Sequence, residues 1–163
     1  MVNPVRPLLP HGNDWELTFK FLVLVIQLAH ISGFSPIITT ASLKHAAALK
    51  GFGANVVLSR DLSTDELKQE ILKHTSKPIK FIYDAISVES TQRTAVDILA
   101  PNGALVTTLP DVIGELDQGK TSIGVRGILK LEQNVALLED LLQNHLSGWI
   151  EKGLVQVRIS RTL

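Results

Sequence analysis

The alternation of apolar and polar positions along the chain changes period several times, and each change marks an element. Residues 35–40 (Ser-Pro-Ile-Ile-Thr-Thr), 55–58 (Asn-Val-Val-Leu), 79–83 and 104–109 are short runs rich in β-branched residues, the pattern of strands buried on both faces. Between them apolar residues recur at helical spacing: 43–50 behind Ser42 as N-cap, a stretch carrying Leu67, Ile71 and Leu72 behind Ser63 or Thr64, and 90–99. Gly51 with Gly53, Lys77-Pro78, Pro101-Asn102-Gly103 and Pro110 punctuate these elements. Residues 111–120 are polar and read as a surface loop. Residues 129–149 have the spacing of a long amphipathic helix ended by Gly153, and 155–159 predict a last short strand. Strands alternating with helices predict an α/β fold: a doubly wound, mostly parallel sheet with helices on both faces.

Two stretches stand outside that rhythm. Residues 1–13 hold Pro4, Pro7, Pro10 and Gly12 and are expected to be an irregular leader, with 14–163 forming a single domain. Residues 14–33 allow two readings. In one, 19–24 is a buried strand and 25–32 the following helix, but no turn-forming residue lies between them. In the other, Asp14 caps one continuous helix that ends at Gly33, which is the better local reading.

Composition narrows the field. A chain of 163 residues, 45% hydrophobic and 20% charged, suits one globular domain. Basic and acidic residues number 16 each, so no net field attracts nucleic acid or an anionic membrane. The absence of cysteine excludes a disulfide framework, a thiol nucleophile, an iron–sulfur cluster and cysteine-ligated zinc. The longest apolar run, 21–26, is far short of the ~20 residues of a membrane span, and the first residues lack a secretory pattern; no membrane and a cytoplasmic location are the expectations.

A βαβ chain invites a search for a phosphate loop. Gly51-Phe52-Gly53-Ala54-Asn55-Val56 has two of the required glycines but follows a helix and precedes a strand, the context of a helix C-cap. The position where such a loop belongs, after a strand near Leu24, has no glycine from residue 13 to 32. Thr40-Ala41-Ser42-Leu43-Lys44 puts a hydroxyl and an ammonium two residues apart at a helix start. That pair suits a 2′-phosphate and so NADP, although on the residues alone an N-cap with a solvated lysine beside it is the more common meaning of the pattern. Asp84 at a strand end reads as a loop former. The histidines (His11, His30, His45, His74, His145) show no metal-ligand spacing, and no serine-hydrolase, P-loop or Tyr-x-x-x-Lys pattern is present. No catalytic residue and no metal site is assigned.

Several segments taken together resemble a known family. Val25-Ile26-Gln27-Leu28-Ala29-His30-Ile31-Ser32-Gly33-Phe34, Ile37-Ile38-Thr39-Thr40-Ala41-Ser42, Leu49-Lys50-Gly51-Phe52-Gly53-Ala54, Asp84-Ala85-Ile86-Ser87 and Leu99-Ala100-Pro101-Asn102-Gly103-Ala104 are similar to the cofactor domain of zinc-independent medium-chain dehydrogenase/reductases, nearest in character to the fungal enoyl-reductase-like branch labelled zinc-binding dehydrogenase. The resemblance implies a Rossmann-like sheet and an NADP-dependent oxidoreductase that passes hydride to an enoyl, quinone or carbonyl substrate, a small molecule. By family position Ser42 and Lys44 would hold the 2′-phosphate, Arg60 would lie near the adenosine, Ile86 and Ser87 near the ribose, and Thr108 and Leu109 near the nicotinamide. The sequence departs from the family at the glycine-rich segment between first strand and first helix, where about ten residues are missing, and in having no GroES-like catalytic domain. The loop and the start of the helix are thus expected to be missing, and the first strand with them if residues 14–32 form one helix, leaving cofactor binding weak or gone. The alternative is a non-catalytic Rossmann-like domain that serves as an interaction module. Apolar surface left uncovered makes a homo-oligomer a further expectation.

Overall fold

The computed structural model describes residues 14–125 and 131–156. Helix α1 (Asp14–Ile31) comes first, so residues 14–31 form one helix and not a strand followed by a helix. No glycine, proline or other turn former interrupts it. Gly33, at φ 79°, closes it, with the amides of Ser32, Gly33 and Phe34 donating to the carbonyls of Leu28, His30 and Ala29. The expected leader, 1–13, lies outside the described residues.

After α1 the chain alternates as its periodicity predicts: β1 (Ile38–Ala41), a 3₁₀ turn (Leu43–His45), α2 (Ala46–Gly51), β2 (Val56–Ser59), α3 (Thr64–His74), β3 (Phe81–Asp84), α4 (Glu89–Ile98) and β4 (Ala104–Thr107). Helix α3 begins with a capping box: the Ser63 hydroxyl accepts from the Glu66 amide while the Glu66 carboxylate accepts from the Ser63 amide. A further strand, β5 (Thr121–Gly124), was not expected. The C-terminal region is α5 (Glu132–Asp140) and α6 (Leu146–Glu151), joined without a break through a π-helical turn (Leu141–His145). The described part of the expected long helix is therefore helical throughout, with a bulge.

Every strand pairing is parallel, and helices accompany the strands, the α/β arrangement expected. The sheet, however, comes in two pieces. Strand β1 pairs with β2, Ile38 opposite Val56. Separately, β4 lies between β3 and β5, with Ala104 opposite Phe81 on one side and Thr121 on the other. Each piece has its own core. Ile26 of α1 meets Ala41, Leu49, Phe52 and Ala54 around β1 and β2. Ala95 of α4 and Leu99, just past its end, meet Leu105 of β4. The two pieces touch through the hydroxyls of Thr64 and Thr94, 2.9 Å apart, and through an edge-to-face contact of Phe34 with Phe81 at 5.6 Å.

The expected strand at 155–159 is corrected where it can be seen. Val155 and Gln156 are not in a strand; 157–159 lie outside the described residues. The Gln27 side chain occupies the backbone groups that a strand neighbour would have used: its Oε1 accepts from the Gln156 amide at 2.6 Å and its Nε2 donates to the Gln156 carbonyl at 3.5 Å. Among the described residues no helix is long and apolar enough to cross a membrane.

Candidate functional site

In a parallel sheet the loops that leave the carboxyl ends of the strands gather on one edge, where open α/β sheets bind their ligands. All seven residues singled out from the sequence lie in these loops. At the β1–β2 sheet, Ser42 precedes the 3₁₀ turn in an extended conformation and its hydroxyl makes no capping hydrogen bond. Lys44, inside that turn, is exposed and forms no ion pair with another described residue. Arg60 follows β2. Its amide donates to the Ala41 carbonyl at 3.1 Å, while its guanidinium, largely exposed, stays 3.9 Å from Asp61. A surface pair at that distance leaves the cation available to another anion.

The edge of the β3–β4–β5 sheet is built differently. Asp84 ends β3, and its Oδ1 accepts the amides of Ile86 at 3.0 Å and Ser87 at 2.8 Å, which makes it the loop former expected. The turn holds Ser87 at φ 56°, with 2% of its surface exposed. The Ser87 hydroxyl donates to the Asp84 carbonyl at 2.6 Å and accepts from the Thr108 amide at 2.8 Å. Thr108 in turn donates its hydroxyl to the Ala85 carbonyl at 3.2 Å. Ser87 and Thr108, distant in sequence, thus share one hydrogen-bonded unit. Their neighbours Ile86 and Leu109 are about half exposed.

Sequence reasoning missed the residue that ties this edge together. Gln92 of α4 is fully buried. Its Nε2 donates to the Ser87 carbonyl at 2.8 Å and the Pro110 carbonyl at 3.1 Å, and its Oε1 accepts from the Val112 amide at 3.1 Å. One amide therefore staples the loop after β3 to the loop after β4. The available signal was a glutamine on the same helical face as Ala95 and Leu99, a polar side chain in an apolar stripe.

The two edges do not merge. Ser42 and Lys44 have no hydrogen bond to the Ser87–Thr108 unit, whereas Arg60 and Ile86 both line a cavity of about 630 Å3 between the sheets. Gly51 and Gly53 form a helix end: the Gly53 amide donates to the Lys50 carbonyl at 3.0 Å. Gly53 sits at φ 112°, where an added Cβ would lie 2.8 Å from the His30 Cβ, so its small size serves packing.

Comparison with known proteins places this geometry. Residues 23–132 match the family profile described as zinc-binding dehydrogenase. A trans-enoyl reductase of Gibberella zeae is 35% identical over 86 residues, a match that spans 53% of this chain and 23% of that relative. The nucleotide-binding subdomain of the enoylreductase domain of PpsC from Mycobacterium tuberculosis superposes with a TM-score of 0.58 at 25% identity, over 83% of this chain and 79% of that one. A mycobacterial protein solved as a complex with NADPH shares the fold, with a TM-score of 0.63 at 18% identity, over 84% of this chain and 44% of that one. The sequence has no cysteine, and among the described residues no three histidines and carboxylates cluster. The family profile covers more than half of the chain, which belongs to the zinc-binding dehydrogenase family and corresponds to the C-terminal cofactor domain of medium-chain dehydrogenase/reductases.

Proposed function

We propose that the chain binds NADPH along the carboxyl edge of its strands, as the cofactor domain of a cytoplasmic oxidoreductase acting on an enoyl, quinone or carbonyl compound. The observation that carries this reading is the Asp84–Ser87–Thr108–Gln92 network, which fixes a small polar surface flanked by exposed Ile86 and Leu109. A preformed surface of that kind suits a ribose with the nicotinamide beside it. Ser42 would donate to the 2′-phosphate, Lys44 would pair with it, and Arg60 would lie against the adenosine. Bound NADPH supplies the hydride; the residues named here bind and orient it, and none has a place in the chemical step. With no glycine from residue 13 to 32 to cradle it, the pyrophosphate would be left to water and the affinity would be weak.

One observation favours a second reading, a Rossmann-like domain that has lost its cofactor and acts through contacts with other proteins. Helix α1 fills the part of the sequence where the phosphate cradle would have to be. Calorimetric titration with NADPH, NADH and ADP-ribose separates the two. The cofactor reading expects NADPH to bind about tenfold more tightly than NADH, and Lys44→Ala to remove the preference. Equal affinity for the two dinucleotides would dismiss the roles of Ser42 and Lys44. Binding of none of the three would leave the non-catalytic reading.

A further inference from the structure

The cavity between the two sheets has an unusual pair of walls. On one side is the outer edge of β1 and on the other the outer edge of β3, with the apolar residues Leu22, Val25 and Ala29 of α1 closing it. In a parallel pair, alternate residues turn both backbone groups toward the neighbouring strand. The Ile37 and Ala41 carbonyls accept from the amides of Val56 and Arg60, so Ile38 and Thr40 turn theirs away from β2. The Lys80 carbonyl accepts from the Ala104 amide, so Ile82 faces β4 while Phe81 and Tyr83 turn away from it. Ile38, Thr40, Phe81 and Tyr83 all line the cavity. Two sheet edges therefore face one space, each offering amides and carbonyls that no strand among the described residues takes.

We propose that this space receives one extended, uncharged apolar segment of another polypeptide, hydrogen-bonded to β1 on one side and to β3 on the other. The occupant's chemistry follows from the walls. Backbone donors and acceptors on both sides call for a peptide backbone, which no compact apolar ligand can match. Arg60 and Asp84 are the only charged residues among those lining the space, so the side chains entering it are apolar or hydroxylic. Both edges are four-residue strands, which sets the length of the segment they can pair. The chain's own termini match poorly in sequence: Pro4, Pro7 and Pro10 interrupt the first, and Arg158 and Arg161 charge the last. The segment differs from a nucleotide in kind, and the inference does not rest on cofactor binding.

The test uses the full chain and a fluorescein-labelled, C-terminally amidated peptide, Lys-Lys-Thr-Val-Ile-Val-Thr, followed by fluorescence anisotropy. Its partner is the same peptide N-methylated at alternate core residues, which removes the donors to one edge and keeps the apolar side chains. Saturable binding is expected, weakened about tenfold or more by N-methylation. Hydrogen exchange at Ile38, Thr40, Phe81 and Tyr83 should slow when the unmodified peptide binds. Ala29→Trp, which fills the space from α1, should abolish binding; should that variant not fold, the peptide pair decides alone. Equal binding of the two peptides, or none, overturns the proposal. So does slow exchange at Phe81 and Tyr83 before any peptide is added, which would mean that the chain fills the space itself.

Discussion

The β1–β2 sheet and the β3–β4–β5 sheet both have to finish the carboxyl ends of parallel strands, and they do it with different side chains. At the first, Ser42, Lys44 and Arg60 point their polar groups outward with little to hold them. At the second, the side chains of Asp84, Ser87 and buried Gln92 bind the backbone of two loops, while Asp84 Oδ2 is buried without a partner among the described residues. A network tied to two loops holds a shape at some cost in desolvation, whereas exposed cations keep no shape but retain their attraction for anions. The proposed dinucleotide would use that difference: a flat ring pair needs a surface, a phosphate needs charge.

The strongest challenge to this comparison is to empty each core in turn. Leu49 and Leu105 are both fully buried, one in each cluster. Either substitution to alanine should cost about 3–5 kcal/mol in denaturant unfolding. Leu49→Ala should speed amide exchange first in β1 and β2, and Leu105→Ala first in β3, β4 and β5; equal loosening of both sheets by either variant would show a single shared core. A smaller effect is expected at the strand ends. Gln92→Leu leaves the carbonyls of Ser87 and Pro110 and the amide of Val112 without their partner, about 2 kcal/mol of lost stability. Ser42→Ala, at the open edge, should stay within about 0.5 kcal/mol. If the two variants unfold at the same urea concentration, the contrast between a closed and an open edge does not hold.

The smallest effect provides a reference outside both sheets. Hydrogen bonds from the Ser63 hydroxyl and amide hold the Glu66 carboxyl below its ordinary pKa of 4.5. The folded chain therefore gives up this proton at a lower pH than the unfolded chain. The stabilisation is present at neutral pH and fades as pH falls below that value. Glu66→Gln should flatten a small part of the stability loss measured between about pH 5 and 3 and leave both strand edges untouched.

What the sequence disclosed follows the strength of its local signals. The runs around Ile38, Val56, Ile82 and Leu105 are β-branched and bounded by Gly, Pro or Asn, and each became a strand. Thr121–Gly124 has only Thr121 and Ile123 to mark it; as a strand with one neighbour among the described residues and mostly exposed positions, it needed no apolar alternation. The gap between the sheets was legible only as the loss of a first strand if 14–32 were one helix; which edges would then stay unpaired was not. At the candidate site, Ser42 and Lys44 were visible as a hydroxyl and a cation near a helix start. Ile86, Ser87, Thr108 and Leu109 came from resemblance alone, and Gln92 was overlooked because a long-range hydrogen bond leaves no periodic trace.

Each sheet is assembled from one continuous stretch of chain, 38–59 for the first and 81–124 for the second. Neither requires the other before its strands can meet, so the loops closed during folding are short and cheap in entropy. Pulse-labelled refolding should therefore show amide protection arriving in two groups, with the Thr64–Thr94 and Phe34–Phe81 contacts forming when the finished halves dock. A chain of this kind reaches most of its final contacts by local search and leaves to the last step only the seam between two independent folding units.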